Sequence, residues 1–281
     1  MTDTANHELA DFLKRARNAI DPMRAGLPGD GRIRRVAGLR REEVALLAGV
    51  STDYYTRLEQ GRRITPSATV LDAVARALGL DGTGRAHLND LVGAQMSRRE
   101  PARQAQRVRP GLRQLLECLD GTPAMILGRR TDVLATNGAV RALIADFDAM
   151  PWRERNYVRW MFMSAQAREL FADWEIQART AVENLRLDVG RNLGDAASIE
   201  LVDELSAASE EFRAWWSEHR VHQRTHGTKH LRHPVAGALT VEYETFTAPG
   251  DADQVLFVFT TAADTSSRDA VASLVSCRCR W

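Results

Sequence analysis

The segment LRREEVALLAGVSTDYYTRLEQGRR, from Leu39 to Arg63, is the part of the sequence that best predicts the fold of the N-terminal region. Its residue types and spacing are typical of two short helices joined by a tight turn. Ala45 is small enough to lie where the helices cross, and Gly49 supplies the positive φ that ends the first helix. Ser51 is a good N-cap for the second helix. The pattern predicts a helix-turn-helix.

The second helix of this motif has an apolar face and a polar face. Tyr55 and Leu58 share the apolar face, and we expect them to pack on Val44, Leu47 and Ala48. In a helix-turn-helix the exposed positions of the second helix meet base edges in the major groove. The candidate DNA-contacting residues are Arg41, Ser51, Thr52, Asp53, Tyr54, Thr56, Arg57, Gln60, Arg62 and Arg63.

Among these candidates, Arg57 is favoured for base reading because a guanidinium pairs in a bidentate way with guanine O6 and N7. Thr52 is placed to touch a base or a thymine methyl group. Asp53 can accept from cytosine N4 or orient Arg57. Arg41 and the pair Arg62-Arg63 flank the motif and are better placed for phosphates.

The charge of the motif favours DNA over the alternative of an ordinary helical hairpin with a solvated Arg/Glu face. Residues 32–63 contain eight arginines and four acidic residues, whereas the whole chain has a formal net charge of +1. A basic patch on a near-neutral protein is typical of a site-specific DNA binder. The side chain of Tyr54, in the same motif, can either pack in the core or contact a phosphate.

The composition limits the classes of protein to which this chain can belong. The chain has 281 residues, 44% hydrophobic and 27% charged, enough for a real core and for two domains. No apolar run approaches the roughly 18 residues of a membrane span, and the amphipathic N-terminus lacks the apolar middle of a signal peptide. Three cysteines form no disulfide framework. We therefore expect a cytoplasmic, nucleoid-associated protein.

Helical periodicity predicts a first helix over Glu8–Ala19, a fourth ended by Gly79 and a fifth over Thr83–Ala94, so the N-terminal domain has five short helices. Its bounds are residues 1–96. An arginine-rich linker follows over 97–110, with Pro101 and Pro110 as breaks. It is either a solvated hinge or a source of additional phosphate contacts.

Residues 111–281 mix both kinds of element. Two short strands, AMILGR and DVLAT, precede a helical middle from Glu154 to His219. Three strands follow, in TKHLRH, ALTVEYETF and QVLFVFTT, and a last helix covers Ser266–Leu274. The alternation in ALTVEYETF suits a sheet with one wet face. This predicts an α+β domain whose antiparallel sheet is completed across the sequence, with helices on one face.

The segment GLRREEVALLAGVSTDYYTRLEQGR resembles the Cro/C1-type (XRE) helix-turn-helix of MmyB-like bacterial transcriptional regulators. The resemblance continues through MILGRRTDVLATNGAVRALIADF, RNYVRWMF, ARELFADW, EEFRAWWSEHRV and LRHPVAGALTVEYETF, and covers Glu8 to about Leu274. It implies an all-α five-helix domain followed by a PAS-like ligand-binding domain that takes a fatty-acid-like molecule.

Bulky aromatic residues concentrate in the helical middle of the second domain. Most such residues are core, but beside a sheet they can also wall an apolar ligand pocket. The candidate lining residues are Phe162, Trp174, Trp215, Val241 and Tyr243.

The histidines His219, His222, His226, His230 and His233 suggest a metal site as an alternative. No cysteine or carboxylate cluster joins them at zinc-like spacing, so no metal or other cofactor is expected. The pair Cys277 and Cys279 is too closely spaced for a zinc site, and a frayed tail is the default.

The function predicted from the sequence is a DNA-binding regulator that is not an enzyme. Its expected partners are a pseudo-palindromic operator in double-stranded DNA, a second copy of the chain and a small apolar ligand such as a fatty acid. The alternatives are a second domain that binds a protein partner or a metal, and an acyl-substrate hydrolase. No GxSxG elbow, HExxH or phosphate-binding glycine loop supports an enzyme.

Overall fold

The computed structural model describes residues 2–23, 25, 38–62, 64–96, 106–192, 195–248, 251–263 and 265–278. The chain divides into two compact units. Unit 1 comprises Met1–Ala102, Arg186–Glu200 and Ala214–Gln223, and unit 2 comprises Arg103–Leu185, Leu201–Arg213 and Arg224–Trp281. Arg63, residues 97–105 of the predicted linker and the tail from residue 279 lie outside the described residues, as does the side chain of Cys277.

The N-terminal helices of unit 1 are α1 (Thr2–Ala19), α2 (Arg41–Ala48), α3 (Thr52–Glu59), α4 (Ala68–Ala77) and α5 (Gly82–Met96). They confirm the predicted all-α arrangement, although α1 begins at Thr2 and not near Glu8. One apolar core joins all five helices and includes Leu9, Leu13, Val44, Tyr55, Leu58, Val74 and Leu88.

The turn between α2 and α3 has the predicted geometry. Gly49 has φ 67°, the left-handed conformation that favours glycine. The Ser51 side chain caps α3 by accepting a hydrogen bond from the Tyr54 N–H at 3.1 Å. Ala45 is buried where α2 packs. The expectation that Leu47 packs under α3 was wrong, because the inward stripe of α2 runs through Val44, Ala45 and Ala48 and leaves Leu47 40% exposed.

The remaining helices are α6 (Pro110–Cys118), α7 (Gly138–Leu143), α8 (Tyr157–Met163), α9 (Ala165–Leu170), α10 (Trp174–Arg191), α11 (Ala196–Ala208), α12 (Glu210–Ser217) and α13 (Ser266–Arg278). Pro110 was expected to break structure, but it begins α6, because a proline is well accommodated in the first turn of a helix. Among the described residues, no helix combines the length and apolar character needed to cross a bilayer.

The strands of unit 2 are β1 (Ala124–Leu127), β2 (Val133–Thr136), β3 (His226–His233), β4 (Gly237–Ala248) and β5 (Asp251–Thr260). Within the described residues they form one antiparallel sheet in the order β2-β1-β5-β4-β3. The early strands therefore join the late ones across the helical middle, as expected for an α+β domain. Along β4, Leu239, Val241 and Tyr243 are buried and the residues between them are exposed.

The second face of the sheet is not entirely wet, which corrects the expectation of helices on one face. At one end of the sheet Leu116 of α6 packs with Ala124 and Ile126 of β1 and with Leu256 of β5. Every residue of β1 is buried. A strand made only of apolar residues indicates burial on both faces of the sheet, and the sequence AMIL of β1 is such a strand.

Candidate functional site

Helix α3 presents a polar edge to solvent because its apolar edge is committed to the core. Tyr55 and Leu58 are buried, while Thr52, Asp53 and Arg57 are exposed. Arg57 Nη1 lies 3.8 Å from Asp53 Oδ2, one helical turn earlier. Such an exposed pair contributes little to stability. The Arg57 guanidinium can therefore leave Asp53 and bind another hydrogen-bond acceptor.

The other residues predicted to contact DNA occupy different environments. Ser51, Gln60 and Arg62 are exposed, and Thr56 is half-buried. Tyr54 is also half-buried, and burial raises the pKa of its phenol. Arg63, the remaining candidate, lies outside the described residues.

Glu59, the last residue of α3, is a buried anchor that the sequence reasoning treated as a surface charge. Its carboxylate is 1% exposed and pairs with two arginines. Arg17 Nε donates to Oε2 at 2.7 Å, and Arg41 Nε donates to Oε1 at 2.8 Å. Burial opposes ionisation of Glu59, but the hydrogen bonds and charges of the two arginines outweigh burial and lower its pKa. The sequence pattern could have predicted the burial of Glu59, because Glu59 lies on the same helical stripe as Tyr55 and Leu58.

This network changes the interpretation of Arg41, which was expected to contact phosphate. Its guanidinium is held by Glu59, while its side chain remains 44% exposed. Arg41 therefore joins α2 to the end of α3 and still presents part of its surface outside the core.

Unit 1 also contains two segments from later in the sequence, Arg186–Glu200 and Ala214–Gln223. Arg186 of the first segment contacts both the second segment and α1. Its side chain is 2% exposed. Nη1 lies 3.0 Å from Glu8 Oε2 of α1 and donates to His219 Nδ1 at 3.0 Å. The same guanidinium donates to the Trp216 carbonyl oxygen and lies 3.9 Å from the centre of the Trp216 ring. Burial lowers the pKa of Arg186 to about 10 although Glu8 acts in the opposite direction.

Two histidines lie beside this cluster in unit 1. Burial, and then the charge of Arg186, lowers the pKa of His87 to about 3 and that of His219 to about 3. His87 packs edge-on against Phe12, and a side chain at Gly190 would overlap the His87 ring. Sequence patterns did not predict this cluster, because its members come from segments far apart in the chain.

Described residues of unit 2 line the two concave regions considered below. An open groove of about 650 Å³ is lined by Arg109, Pro110, Gly111, Leu112, Leu115, Phe246, Thr247 and Leu256. A cavity of about 400 Å³ is lined by Gly121, Thr122, Pro123, Leu143, Val241, Phe259, Thr260, Thr261, Ala263, Arg268, Val271 and Ala272. Both volumes lie in the range of small-ligand pockets.

The five predicted ligand-lining residues lie in different parts of the structure. Val241 lines the 400 Å³ cavity. Tyr243, two residues along the same face of β4, stacks on Phe257 with ring centres 5.0 Å apart. Phe162 packs edge-on against Trp174 at 5.6 Å, in the helical layer. Trp215 belongs to unit 1.

Lys229 is a further buried residue that sequence reasoning missed, and it is 5% exposed on the helix-covered face of β3. Its Nζ donates to Gln177 Oε1 at 2.6 Å, and the Gln177 amide nitrogen donates to Asp173 Oδ2 at 3.4 Å. Burial lowers the pKa of Lys229 to about 8, while the charge of Asp173 acts to raise it. Side chains two residues apart on a strand share one face, so the spacing between Lys229 and the apolar Leu231 could have predicted that this lysine is buried.

The histidines predicted as an alternative metal site are dispersed. Helix α12 ends at Ser217 and His219 has φ 52°, so no helical face joins His219, His222 and His226. His233 has a structural role: its Nε2 donates to the Ala142 carbonyl oxygen at 2.9 Å, and its Nδ1 accepts from two backbone N–H groups of the β3–β4 turn. The described residues contain no group of three or more His, Cys, Asp or Glu arranged to hold a metal ion.

Comparison with known families assigns both parts of the sequence. Residues 108–274 match the family described as the MmyB-like transcription regulator ligand binding domain, which is more than half of the chain. Residues 8–88 match the helix-turn-helix domain family. No curated protein matches this chain.

Proposed function

The chain belongs to the MmyB-like transcription regulators, and we propose that a small apolar, fatty-acid-like ligand in its ligand-binding domain controls how its helix-turn-helix reads DNA. A helix-turn-helix and a ligand-binding domain are the domains of a transcription regulator, and we propose that the chain acts as a regulator and not as an enzyme. Since the chromosome is the target, we place the protein in the cytoplasm, associated with the nucleoid.

The observation that carries the DNA-reading part is the exposed edge of α3. Thr52, Asp53 and Arg57 point away from the core, and Glu59 fixes the far end of the helix through Arg17 and Arg41. A rigidly held polar edge next to Arg62 suits the major groove, with bases read by Arg57 and Thr52 and phosphates bound by Arg41, Arg62 and Arg63.

Selection of duplexes from a random pool by the full-length protein tests this part. We expect a selected site to bind roughly a thousandfold or more tightly than a scrambled duplex of the same length at physiological salt. Equal affinity for selected and scrambled duplexes would reduce the protein to a nonspecific binder and reject the proposal.

The ligand-sensing part is supported by the cavity of about 400 Å³ beside the sheet. Leu143, Val241, Phe259 and Val271 give it apolar walls, and threonines give it a polar margin. Arg268 also lines it, so the pocket offers both an apolar wall and polar groups, which suits a small molecule that is apolar with a polar end. The sheet that joins early and late strands of the domain supports the PAS-like assignment.

The route from ligand to DNA that we propose runs through the segments that the ligand-binding sequence contributes to unit 1. Residues Arg186–Glu200 and Ala214–Gln223 lie inside the matched range 108–274. Arg186 binds Glu8 of α1 within that unit. A ligand that shifts α10 would alter this contact, and coupling requires such a differential effect on two states.

We propose that the regulator acts as a homodimer on a pseudo-palindromic operator. Two copies related by a two-fold axis would place their α3 helices about 34–36 Å apart, one turn of DNA. Sedimentation of the full-length protein with a selected duplex, together with footprinting, tests this. We expect two copies per duplex and two protected half-sites about 10–10.5 base pairs apart, whereas one copy on one half-site would contradict it.

A further inference from the structure

Helix α6 covers only part of one face of the sheet in unit 2. Leu116 of α6 packs on Leu256 of β5. In the next strand Phe246 pairs with Leu256, so the Phe246 side chain lies on the same face of the sheet. Glu242 and Glu244 alternate with buried residues on that face of β4, and both are exposed together with Phe246. This face of β4 is therefore open to solvent beside α6.

The open groove of about 650 Å³ lies where α6 adjoins this part of β4, and its walls are largely apolar. Leu115 of α6 is 47% exposed and Phe246 of β4 is 57% exposed. Leu112 and Leu256 line the same groove. Grouped apolar side chains on a surface mark an interaction site, because their removal from water stabilises a complex only when a partner covers them.

Charged side chains beside the groove have no ionic partner in their own chain. Arg109 lines the groove and Arg113 follows it by one turn of α6, while Glu244 precedes Phe246 by two residues on β4. Within the described residues, neither arginine forms an ion pair, and neither does Glu242 or Glu244. Other surface arginines of unit 2 pair with carboxylates of the chain, among them Arg141, Arg159 and Arg168.

The mixture of charges on this surface favours one kind of occupant. A uniformly acidic partner, such as DNA, would be repelled by the glutamates of β4, and a uniformly basic partner would be repelled by the arginines of α6. A two-fold contact joins the same surface of two copies, so that each region faces a different region of the other copy. With the two-fold axis along the groove, α6 of each copy faces β4 of the other, and arginines meet glutamates on both sides.

We propose that this face of unit 2 binds a second copy of the chain, with α6 of each copy covering the open part of β4 of the other. The inference rests on the proposed homodimer and assigns its contact surface. Leu115 of each copy packs on Phe246 of the other, and the unpaired charges beside the groove find their partners across the two-fold axis. The contact uses no residue of the proposed DNA-reading surface.

Sedimentation equilibrium of the full-length protein without DNA tests whether the groove is the contact. Leu115→Asp places a charge in the groove. Val235→Asp is the matched control, because Val235 is an exposed apolar residue in the β3–β4 turn, at the end of β4 that is far from Phe246. We expect Val235→Asp to dimerise like the unsubstituted protein, and Leu115→Asp to raise the dimer Kd by roughly tenfold or more.

Charge reversal tests how the two copies are arranged. One variant carries Arg109→Glu with Arg113→Glu, and the other carries Glu242→Arg with Glu244→Arg. Each variant alone brings like charges together and should remain monomeric. An equimolar mixture, with one variant fluorescently labelled, should form a heterodimer, because opposite charges then meet at both contacts. Rescue in the mixture also shows that both variants are folded.

The results that would overturn the inference are distinct from those that reject the homodimer. Equal dimerisation of Leu115→Asp and the unsubstituted protein would place the contact elsewhere. Charge-reversed variants that dimerise singly, or that fail to associate when mixed, would reject the α6–β4 arrangement. An unsubstituted protein that is monomeric without DNA would reject this contact. Two copies on an operator duplex would then keep the homodimer without it, and one copy would reject both.

Discussion

Arg17 of α1 and Glu59 of α3 form a buried bidentate ion pair, with Nε–Oε2 2.7 Å and Nη2–Oε1 3.2 Å. The same guanidinium donates to the Leu39 carbonyl oxygen at 2.6 Å. One side chain thus joins the first helix, the entry to α2 and the end of the helix that we propose reads DNA. The polar edge of α3 depends on this pair for its orientation.

Removal of Arg17 should destabilise the protein strongly. Arg17→Met leaves a buried carboxylate without its bidentate partner, and breaking a buried pair in this way costs about 3–5 kcal/mol. Urea denaturation of the full-length protein measures the change. Arg57→Ala is the control, because its pair with Asp53 is exposed and its loss should change stability by about 0.5 kcal/mol or less. Similar midpoints for the two variants would mean that Glu59 is not an anchor.

Arg57 and Arg62 should differ in how they affect DNA binding. Arg57→Ala removes a base contact and should reduce discrimination at one base pair by about 1–3 kcal/mol. Arg62→Ala removes a phosphate contact and should weaken binding equally on all sequences, with a salt slope smaller by about one. Affinities on single-substituted operators at several salt concentrations measure both. A uniform loss in Arg57→Ala would place Arg57 on the phosphates.

Acid should destabilise unit 1 through His219. Burial, and then Arg186, lowers the pKa of His219 from 6.5 to about 3, so the imidazole stays neutral in the folded protein while the unfolded chain takes up a proton below pH 6.5. The stabilisation is therefore present above pH 6.5 and is lost as the pH falls towards 3.

His219→Asn tests this pH dependence, since asparagine tolerates the positive φ and keeps an acceptor for Arg186. Its stability should fall less steeply between pH 6.5 and 4, by up to about 1.4 kcal/mol per pH unit. His222→Asn, an exposed histidine three residues later, serves as the control. Parallel curves for His219→Asn and the unsubstituted protein would contradict the assignment.

Two glycine substitutions in helices of unit 1 should have opposite effects. A side chain at Gly190 would overlap the His87 ring, whereas no atom of the described residues lies within 4 Å of a Cβ at Gly93. Gly190→Ala should therefore destabilise the protein by about 1–3 kcal/mol through overpacking. Gly93→Ala should stabilise it by about 0.5–1 kcal/mol through helix propensity. Thermal melts compare them, and stabilisation by both would show that α10 does not pack on His87.

Local patterns predicted the helix-turn-helix in detail and the strands of unit 2 closely. Gly49, Ser51 and the Tyr55–Leu58 face act through neighbours in the sequence, so spacing and residue type were sufficient. Leu47 was placed wrongly, because the inward stripe of α2 runs through Val44, Ala45 and Ala48 and leaves both Leu46 and Leu47 exposed. The DNA contacts and the ligand-lining residues remain predictions.

The important residues that spacing did not reveal are polar residues inside apolar stripes. Glu59 follows Tyr55 and Leu58, Arg186 follows Ala178 and Val182 at intervals of four, and Lys229 alternates with Leu231. Each has the position of a core residue but the chemistry of a surface residue. Their partners, Arg17, Glu8 and Gln177, lie 42, 178 and 52 residues away in the chain. Local periodicity carries no information on such pairs.

Ligand control of DNA binding is tested by the affinity of the full-length protein for its selected operator with and without saturating dodecanoate. Ligand control predicts a change of about fivefold or more, the lower end of typical coupling free energies. If dodecanoate binds to the protein and leaves operator affinity unchanged, ligand control is ruled out, because a ligand with no preference between the two states shifts neither.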